Sequence, residues 1–220
     1  MSEPLLHFQH GVILLGGGEV TASGVNQADR FAPKLIAADG GADVALALGR
    51  VPDAVIGDFD SVSEAARQAI PADRQFPIAE QDSTDFEKCL IHTEARFYLA
   101  LGFTGKRLDH TLAAMTVLAR HPQQPVILIG SEDLAFLAPE ALHLPLAPSC
   151  RISLYPMGPV SGRSTGLRWP IDGLSLRPDG RTSTSNEAAG PVSLWLEGPC
   201  LVMLPCEMLA LALSALGLTD

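Results

Sequence analysis

The chain is 220 residues long, 47% hydrophobic and 18% charged. That composition belongs to a globular protein with a core of its own, not to a disordered chain. Its 25 acidic residues outnumber 15 basic ones, for a formal net charge of −10. Such a chain lacks the electrostatic footprint for bulk nucleic acid or an anionic membrane, and neither is expected as a partner. A small anionic substrate is still accessible if a divalent metal bridges it to carboxylates.

In chain order, the first apolar run, residues 12–15, stops at three glycines, and the first basic residue is Arg30. No secretory signal is expected. Apolar runs at 11–15, 35–38, 54–56, 97–101 and 126–129 read as buried strands. Helical patterns fall between them at 41–48, 63–70, 85–94 and 108–120. This alternation predicts an α/β domain, residues 1–138, with a doubly wound, mostly parallel sheet covered on both faces.

The remainder, 139–220, is built differently. Residues 1–121 hold 5 prolines and 16 acidic residues; residues 122–220 hold 12 and 9. Short strand candidates at 152–155, 164–169, 182–185, 192–196 and 200–204 are separated by Gly-Pro and Pro-Asp-Gly punctuation. They predict a smaller antiparallel β-sandwich. The apolar stretch 200–218 contains Pro205 and Glu207, so a buried strand and a packing helix are expected there, not a membrane span. The four cysteines form no CxxC pair and no zinc spacing; they read as reduced core residues of a cytoplasmic protein.

Four segments carry candidate chemistry. In Gly57-Asp58-Phe59-Asp60-Ser61, two aspartates two apart at the end of a strand are expected to point to one side. Carboxylates that close repel unless a cation lies between them, and hard oxygens suit Mg²⁺. A pair of turn and helix-cap aspartates explains them equally well. Gln81-Asp82-Ser83-Thr84-Asp85-Phe86-Glu87-Lys88 contains a Thr84/Glu87 capping box. It also places Asp85 and Lys88 on one helix face, as metal and phosphate groups or as an ordinary ion pair. The chain has only 3 lysines against 12 arginines, so Lys88 is not drawn from an abundant surface population.

Gly102 to His110 runs a glycine loop with Lys106 and Arg107 into a helix start, an arrangement suited to phosphate. It is not a Walker A loop, because Arg107 stands where Ser or Thr is needed. Gly16-Gly17-Gly18 and Asp39-Gly40-Gly41 each follow a strand and permit close backbone approach to a ligand. Together these residues point to metal-assisted phosphoryl chemistry and leave the acceptor open.

At these motifs the chain resembles the thiamine pyrophosphokinase family. The resemblance runs in order through Ala38 to Ala42, Pro52-Asp53, Ile56 to Ser61, Gln81 to Lys88, Gly105 to His110, Thr165 to Trp169 and Ser183 to Asn186. It implies pyrophosphoryl transfer from Mg·ATP to the thiamine hydroxyl, giving thiamine pyrophosphate and AMP. It also implies a homodimer with active sites at the subunit interface. By position, Asp58, Asp60 and Asp85 are the implied metal and catalytic carboxylates, with Lys88 and Arg107 also catalytic. Asp39, Gly40, Gln81, Asp82, Thr84, Arg107, Asp109 and His110 are implied on the nucleotide side. Trp169, Ser183, Ser185 and Asn186 are implied on the thiamine side. Similar proteins commonly carry glycine just before the Arg of the third motif, where this chain has Lys106. Two competing readings are a haloacid-dehalogenase-type phosphatase with Asp58 as nucleophile, and a non-catalytic thiamine or nucleotide sensor.

Overall fold

A computed structural model describes residues 3–219, which divide into two compact units. Residues up to 117 with Gln123–Ser131 form the first, and Leu118–Pro122 with residues 132–219 form the second. In chain order the elements before residue 131 are β1 (Leu6–His7), β2 (Val12–Leu15), α1 (Ala22–Asp29), β3 (Lys34–Ala38), α2 (Gly41–Ala47), β4 (Ala54–Gly57), α3 (Glu64–Ala69), β5 (Gln75–Pro77), α4 (Asp85–His92), β6 (Thr93–Glu94), β7 (Tyr98–Leu101), α5 (Leu108–Arg120) and β8 (Val126–Ile129).

The first unit is built on a parallel sheet in the order β8-β7-β2-β3-β4-β5. β2, β4, β7 and β8 are buried at every position, which is why they read as unbroken apolar runs. From β2 the chain builds outward through β3 to β5 on one side, then returns to add β7 and β8 on the other. The reversal lies between β2 and β7, where Leu15 pairs with Leu101. Open α/β sheets bind ligands outside the strand C-termini at such a switch point.

Side-chain caps start α1, α3 and α4. Thr21, Ser63 and Thr84 accept hydrogen bonds from the backbone N–H of Gly24, Ala66 and Glu87, each satisfying an orphan donor. The helix expected over 85–94 stops at His92. Thr93 is extended there, and its hydroxyl donates to Cys89 O at 2.6 Å while its own carbonyl accepts from Tyr98 OH at 2.9 Å. The expected pattern did not include α1, which carries Ser, Gly and Asn, weak helix formers. Its cap and the burial of Val25 and Ala28 hold it.

The second unit contains β9 (Asp133–Leu137), β10 (Ala141–Leu144), β11 (Arg151–Pro156), β12 (Ser161–Leu167), β13 (Ser183–Glu197), β14 (Cys200–Pro205) and α6 (Leu209–Ala215). Its strand pairs are antiparallel: β9 with β14, β14 with β11, β11 with β13, and β13 with both β10 and β12. The two strands expected at 182–185 and 192–196 are one continuous strand, β13, of 15 residues. Pro191 looked like a break. It falls where the β12 register shifts between Thr165 and Leu167, so its missing N–H interrupts no regular ladder. β9 lies ahead of the boundary expected after residue 138 and belongs to this unit.

In α6, Leu209, Ala212 and Leu213 are buried, the i, i+3, i+4 stripe of a packing helix. This fits the strand-then-helix expected for the apolar stretch 200–218. No helix among the described residues is long and apolar enough to cross a membrane. No disulfide joins the four cysteines; Cys89 and Cys200 are buried, whereas Cys150 and Cys206 are half-buried and so are not core residues.

Candidate active site

A cleft of about 620 Å³ opens in the first unit at the C-terminal ends of β2, β3, β4 and β7. Each strand end contributes one segment of wall: Gly16 to Gly18, Asp39-Gly40, the Asp58 to Ser61 loop, and Gly102 to Arg107. The start of α4 adds Asp85, Phe86 and Lys88. The walls at the switch point are backbone against backbone. Gly18 N–H donates to Gly102 O at 2.9 Å, and a Cβ on Gly18 would lie 2.4 Å from that oxygen. A side chain at residue 18 would therefore force the two loops apart.

Asp58 and Asp60 do converge, but not through strand alternation. β4 ends at Gly57, and the convergence comes from Phe59, whose φ of +66° is left-handed. Burial of the Phe59 ring holds this turn, together with Arg67, whose guanidinium donates to Phe59 O and lies 5.5 Å over the ring. Asp58 accepts from Gln81 Nε2 at 2.8 Å and from Asp60 N at 3.2 Å. The Gln81 hydrogen bond, then that of Asp60, holds the Asp58 carboxyl below the usual carboxylate range.

Asp39, at the end of β3, joins them. Asp39, Asp58 and Asp60 each offer an oxygen within 4.8 Å of the other two. Asp39 is 3% exposed. Its Oδ2 accepts from Ser61 N at 3.1 Å, and its buried Oδ1 has no hydrogen-bond partner. Burial, with Asp85 and Asp60 nearby, pushes its carboxyl upward. Three hard oxygens, one buried and unsatisfied, fit a divalent cation such as Mg²⁺.

Asp85, expected as the third metal carboxylate, lines the same cleft. Lys88 Nζ lies 3.2 Å from Asp85 Oδ1 and 3.8 Å from Asp58 Oδ2, and the lysine is 2% exposed. Burial raises the Asp85 carboxyl against the opposing pull of Lys88.

Across the cleft, Arg107 is exposed and forks onto Asp109, with contacts of 3.1 and 2.5 Å. Arg107, Lys106, His110, Gln81, Thr84 and Gly40 line the cleft, whereas Asp82 and Asp109 are not among its lining residues. Phe86 and Phe103 were not anticipated. Their ring centroids lie 4.5 Å apart and form an apolar wall. Neither ring stood out in sequence, because an aromatic beside a polar motif reads first as core.

Trp169, Ser183, Ser185 and Asn186 lie in the second unit. Trp169 is 52% exposed, with the Arg168 guanidinium 4.8 Å over its ring. Asn186 is buried; its Oδ1 accepts from Trp169 N at 3.2 Å, and its Nδ2 donates to Trp169 O at 2.7 Å and Ser183 Oγ at 3.2 Å. Ser185 has φ of +57° and donates its N–H to Ser153 Oγ at 3.0 Å. Asn186 and Ser183 thus hold the exposed tryptophan from behind.

The first unit is an α/β fold that places a carboxylate cluster and a cationic glycine loop around one cleft at the sheet's switch point. Residues 26–128 match the family model described as the thiamin pyrophosphokinase catalytic domain, and this segment carries Asp39, Asp58, Asp60, Asp85, Lys88 and Arg107. The chain is 31% identical over 156 residues to thiamine pyrophosphokinase 1 of rice, Oryza sativa subsp. japonica. It is 30% identical over 156 residues to thiamine pyrophosphokinase 1 of Arabidopsis thaliana. Each alignment covers 61% of this chain and 58% of the plant protein, less than two thirds of the relatives' length. The structure is similar to thiamin pyrophosphokinase from Candida albicans, with TM-score 0.76 and 18% identity over 93% of this chain and 94% of that one. It is also similar to thiamin pyrophosphokinase from Geobacillus thermodenitrificans, with TM-score 0.73 and 22% identity over 89% and 96% of the two chains. The structural likenesses establish a shared fold. The sequence matches bear out the resemblance to thiamine pyrophosphokinases read from the motifs.

Proposed function

We propose that the chain is an ATP-dependent thiamine pyrophosphokinase, moving the pyrophosphoryl group of Mg·ATP to the hydroxyl of thiamine. The observation that carries this reading is the gathering of Asp39, Asp58, Asp60, Lys88 and the Gly102 to Arg107 loop around one cleft, within the segment that matches the catalytic-domain model.

In the reaction the thiamine oxygen bonds to the β-phosphorus, the bond from that phosphorus to the α-phosphate oxygen breaks, and AMP leaves. The cleft's work is positioning and charge neutralisation. Asp58, Asp60 and Asp85 would hold the metal, which when bound would neutralise triphosphate charge. Arg107 exchanges Asp109 for phosphate oxygens, a swap its exposure permits. Lys106 and the backbone N–H groups of the glycine loops complete the phosphate cradle. A cleft carboxylate takes the hydroxyl proton.

On the thiamine side, Trp169 offers a ring face to the heteroaromatic cation, and Ser183, Ser185 and Asn186 are assigned to the same side by their place in the motif. We read residues 1–138, less β9, as the doubly wound catalytic domain, in line with the reversal of strand order at β2. Residues 139–220 are read as a β-sandwich domain, in line with β13 pairing β11 through its first half and β10 and β12 through its second. A cytoplasmic homodimer with active sites at the subunit interface completes the reading. Incubation with ATP, Mg²⁺ and thiamine, followed by mass identification of products, tests it. Thiamine pyrophosphate with AMP is expected. Free phosphate from a generic phosphate ester favours the phosphatase, and ligand binding without product favours the sensor.

A further inference from the structure

We infer that Cys150 and Cys206 form a reversible disulfide site, closed by exchange with a low-molecular-weight disulfide such as glutathione disulfide. The inference is independent of the functional reading above.

The strand register carries the pairing. β11 and β14 are antiparallel, with Tyr155 opposite Leu201 and Ser153 opposite Met203. Continued past Arg151 and Pro205, the same register sets Cys150 opposite Cys206. The outer neighbours show that both strands keep their alignment that far. Cys206 N–H donates to Glu132 O at 3.1 Å, one step past the Pro205–Asp133 pair of β14 with β9. Cys150 O accepts from Ala188 N–H at 2.9 Å, one step past the Arg151–Glu187 pair of β11 with β13. Both backbone bonds point away from the shared edge, so 150 and 206 stand at a non-hydrogen-bonded position. Side chains are closest at such positions, with Cα atoms about 4.5 Å apart, inside the range that a disulfide spans. Pro205 has no N–H to offer β11, so the regular ladder ends before it reaches the pair.

Access selects the same two residues. Cys150 and Cys206 are half-buried, whereas Cys89 and Cys200 are buried, so a small oxidant meets this pair first. Burial, then nearby carboxylates that include Glu207 for both, raises the two thiols above their ordinary value. Their reactivity therefore rests on proximity and not on a standing thiolate. One cysteine, as its thiolate, attacks a sulfur of glutathione disulfide. A mixed disulfide forms and one glutathione thiolate leaves. The second cysteine's thiolate then attacks the protein sulfur of that mixed disulfide, and the second glutathione leaves. Two protein thiols are oxidised, one glutathione disulfide is reduced, and the two thiol protons pass to the departing thiolates. A bridge this close to solvent is of the labile kind that thiols reopen. Closed, it ties β11 to the end of β14 and encloses residues 151–205, with Trp169 and Asn186 among them, in one covalent loop.

The test incubates the full folded chain with glutathione disulfide, blocks the remaining thiols and maps the peptides by mass. The intact chain is expected to lose two hydrogens, and one peptide pair to be linked through Cys150 and Cys206. Closing a loop of this length restricts the unfolded chain, so Tm is expected to rise by about 5 °C or more over the reduced chain. Dithiothreitol should reverse all three changes. Cys150→Ser and Cys206→Ser should each abolish the link and the Tm rise. The wild-type map decides by itself, so a serine variant that melts early does not obscure the result.

Separate glutathione adducts on both cysteines, a link through Cys89 or Cys200, a link between two copies of the chain, or thiols unchanged under excess glutathione disulfide would each overturn the inference.

Discussion

The Lys88 ammonium lies 3.2 Å from Asp85 Oδ1 and is almost wholly shut off from solvent. A cation in that position is held by its anions, and removing it leaves Asp85 and Asp58 facing each other without compensation. Breaking a fully buried pair costs about 3–5 kcal/mol. The Asp85 side chain is 37% exposed, so solvent relieves part of that. Lys88→Met, which keeps most of the volume, is expected to lower stability by about 2 kcal/mol. Urea unfolding reads this as a lower midpoint at unchanged slope.

Asp60 is exposed at the lip of the cleft, and its Oδ1 accepts from the Ser61 hydroxyl at 2.7 Å. Asp60→Asn removes a charged ligand without disturbing the core. Turnover is expected to fall by about 100-fold or more, while stability changes by no more than about 0.5 kcal/mol. Steady-state kinetics beside a thermal melt separate the two effects. Near-normal turnover contradicts the role given to this residue.

Trp169 and Asn186 should part company. The tryptophan ring is half exposed, so Trp169→Ala is expected to spare stability and raise the thiamine KM more than the ATP KM. Asn186 is buried and bonds both the N–H and the C=O of Trp169. Asn186→Ala leaves those groups unpaired and is expected to cost about 1–3 kcal/mol. Its thiamine KM rises as well, because the tryptophan loses its support. An unchanged thiamine KM in Trp169→Ala removes the stacking role.

Much of this architecture is legible in the sequence because its causes are local. Fully buried strands such as Val12–Leu15 and Val126–Ile129 announce themselves as apolar runs, and Ser63 and Thr84 mark helix starts by side-chain chemistry. What escaped the sequence depends on distant partners. Pro191 reads as a strand break until the register shift of β12 opposite it is known. Asp39 reads as one more carboxylate at the cleft edge until its burial and unsatisfied oxygen are seen. The convergence of Asp58 and Asp60 is visible in the motif, but its cause is the left-handed turn at Phe59, held by Arg67 eight residues on.

Asp53 provides a pH-dependent test away from the cleft. Burial alone would raise its carboxyl, but hydrogen bonds from Lys34 Nζ at 2.8 Å and Leu35 N at 3.0 Å outweigh burial and hold it below the ordinary value. A depressed folded-state value contributes stability that is present above the unfolded carboxylate range and is lost as pH falls through the folded value. Asp53→Asn is therefore expected to cost about 1 kcal/mol near neutrality. Its difference from wild type should close as the solution is acidified through that range. Urea midpoints across an acid series check this, and a constant difference contradicts it.

The proposed reaction transfers two phosphates in one step. The most direct measurement incubates the protein with thiamine, Mg²⁺ and ATP carrying radiolabel on either the α- or the γ-phosphate. Thiamine pyrophosphate should carry the γ label and AMP the α label, with no labelled ADP and no thiamine monophosphate intermediate. Recovery of the α label as ADP, with the γ label in thiamine monophosphate, would contradict the account and assign ordinary γ-phosphoryl transfer to the same cleft.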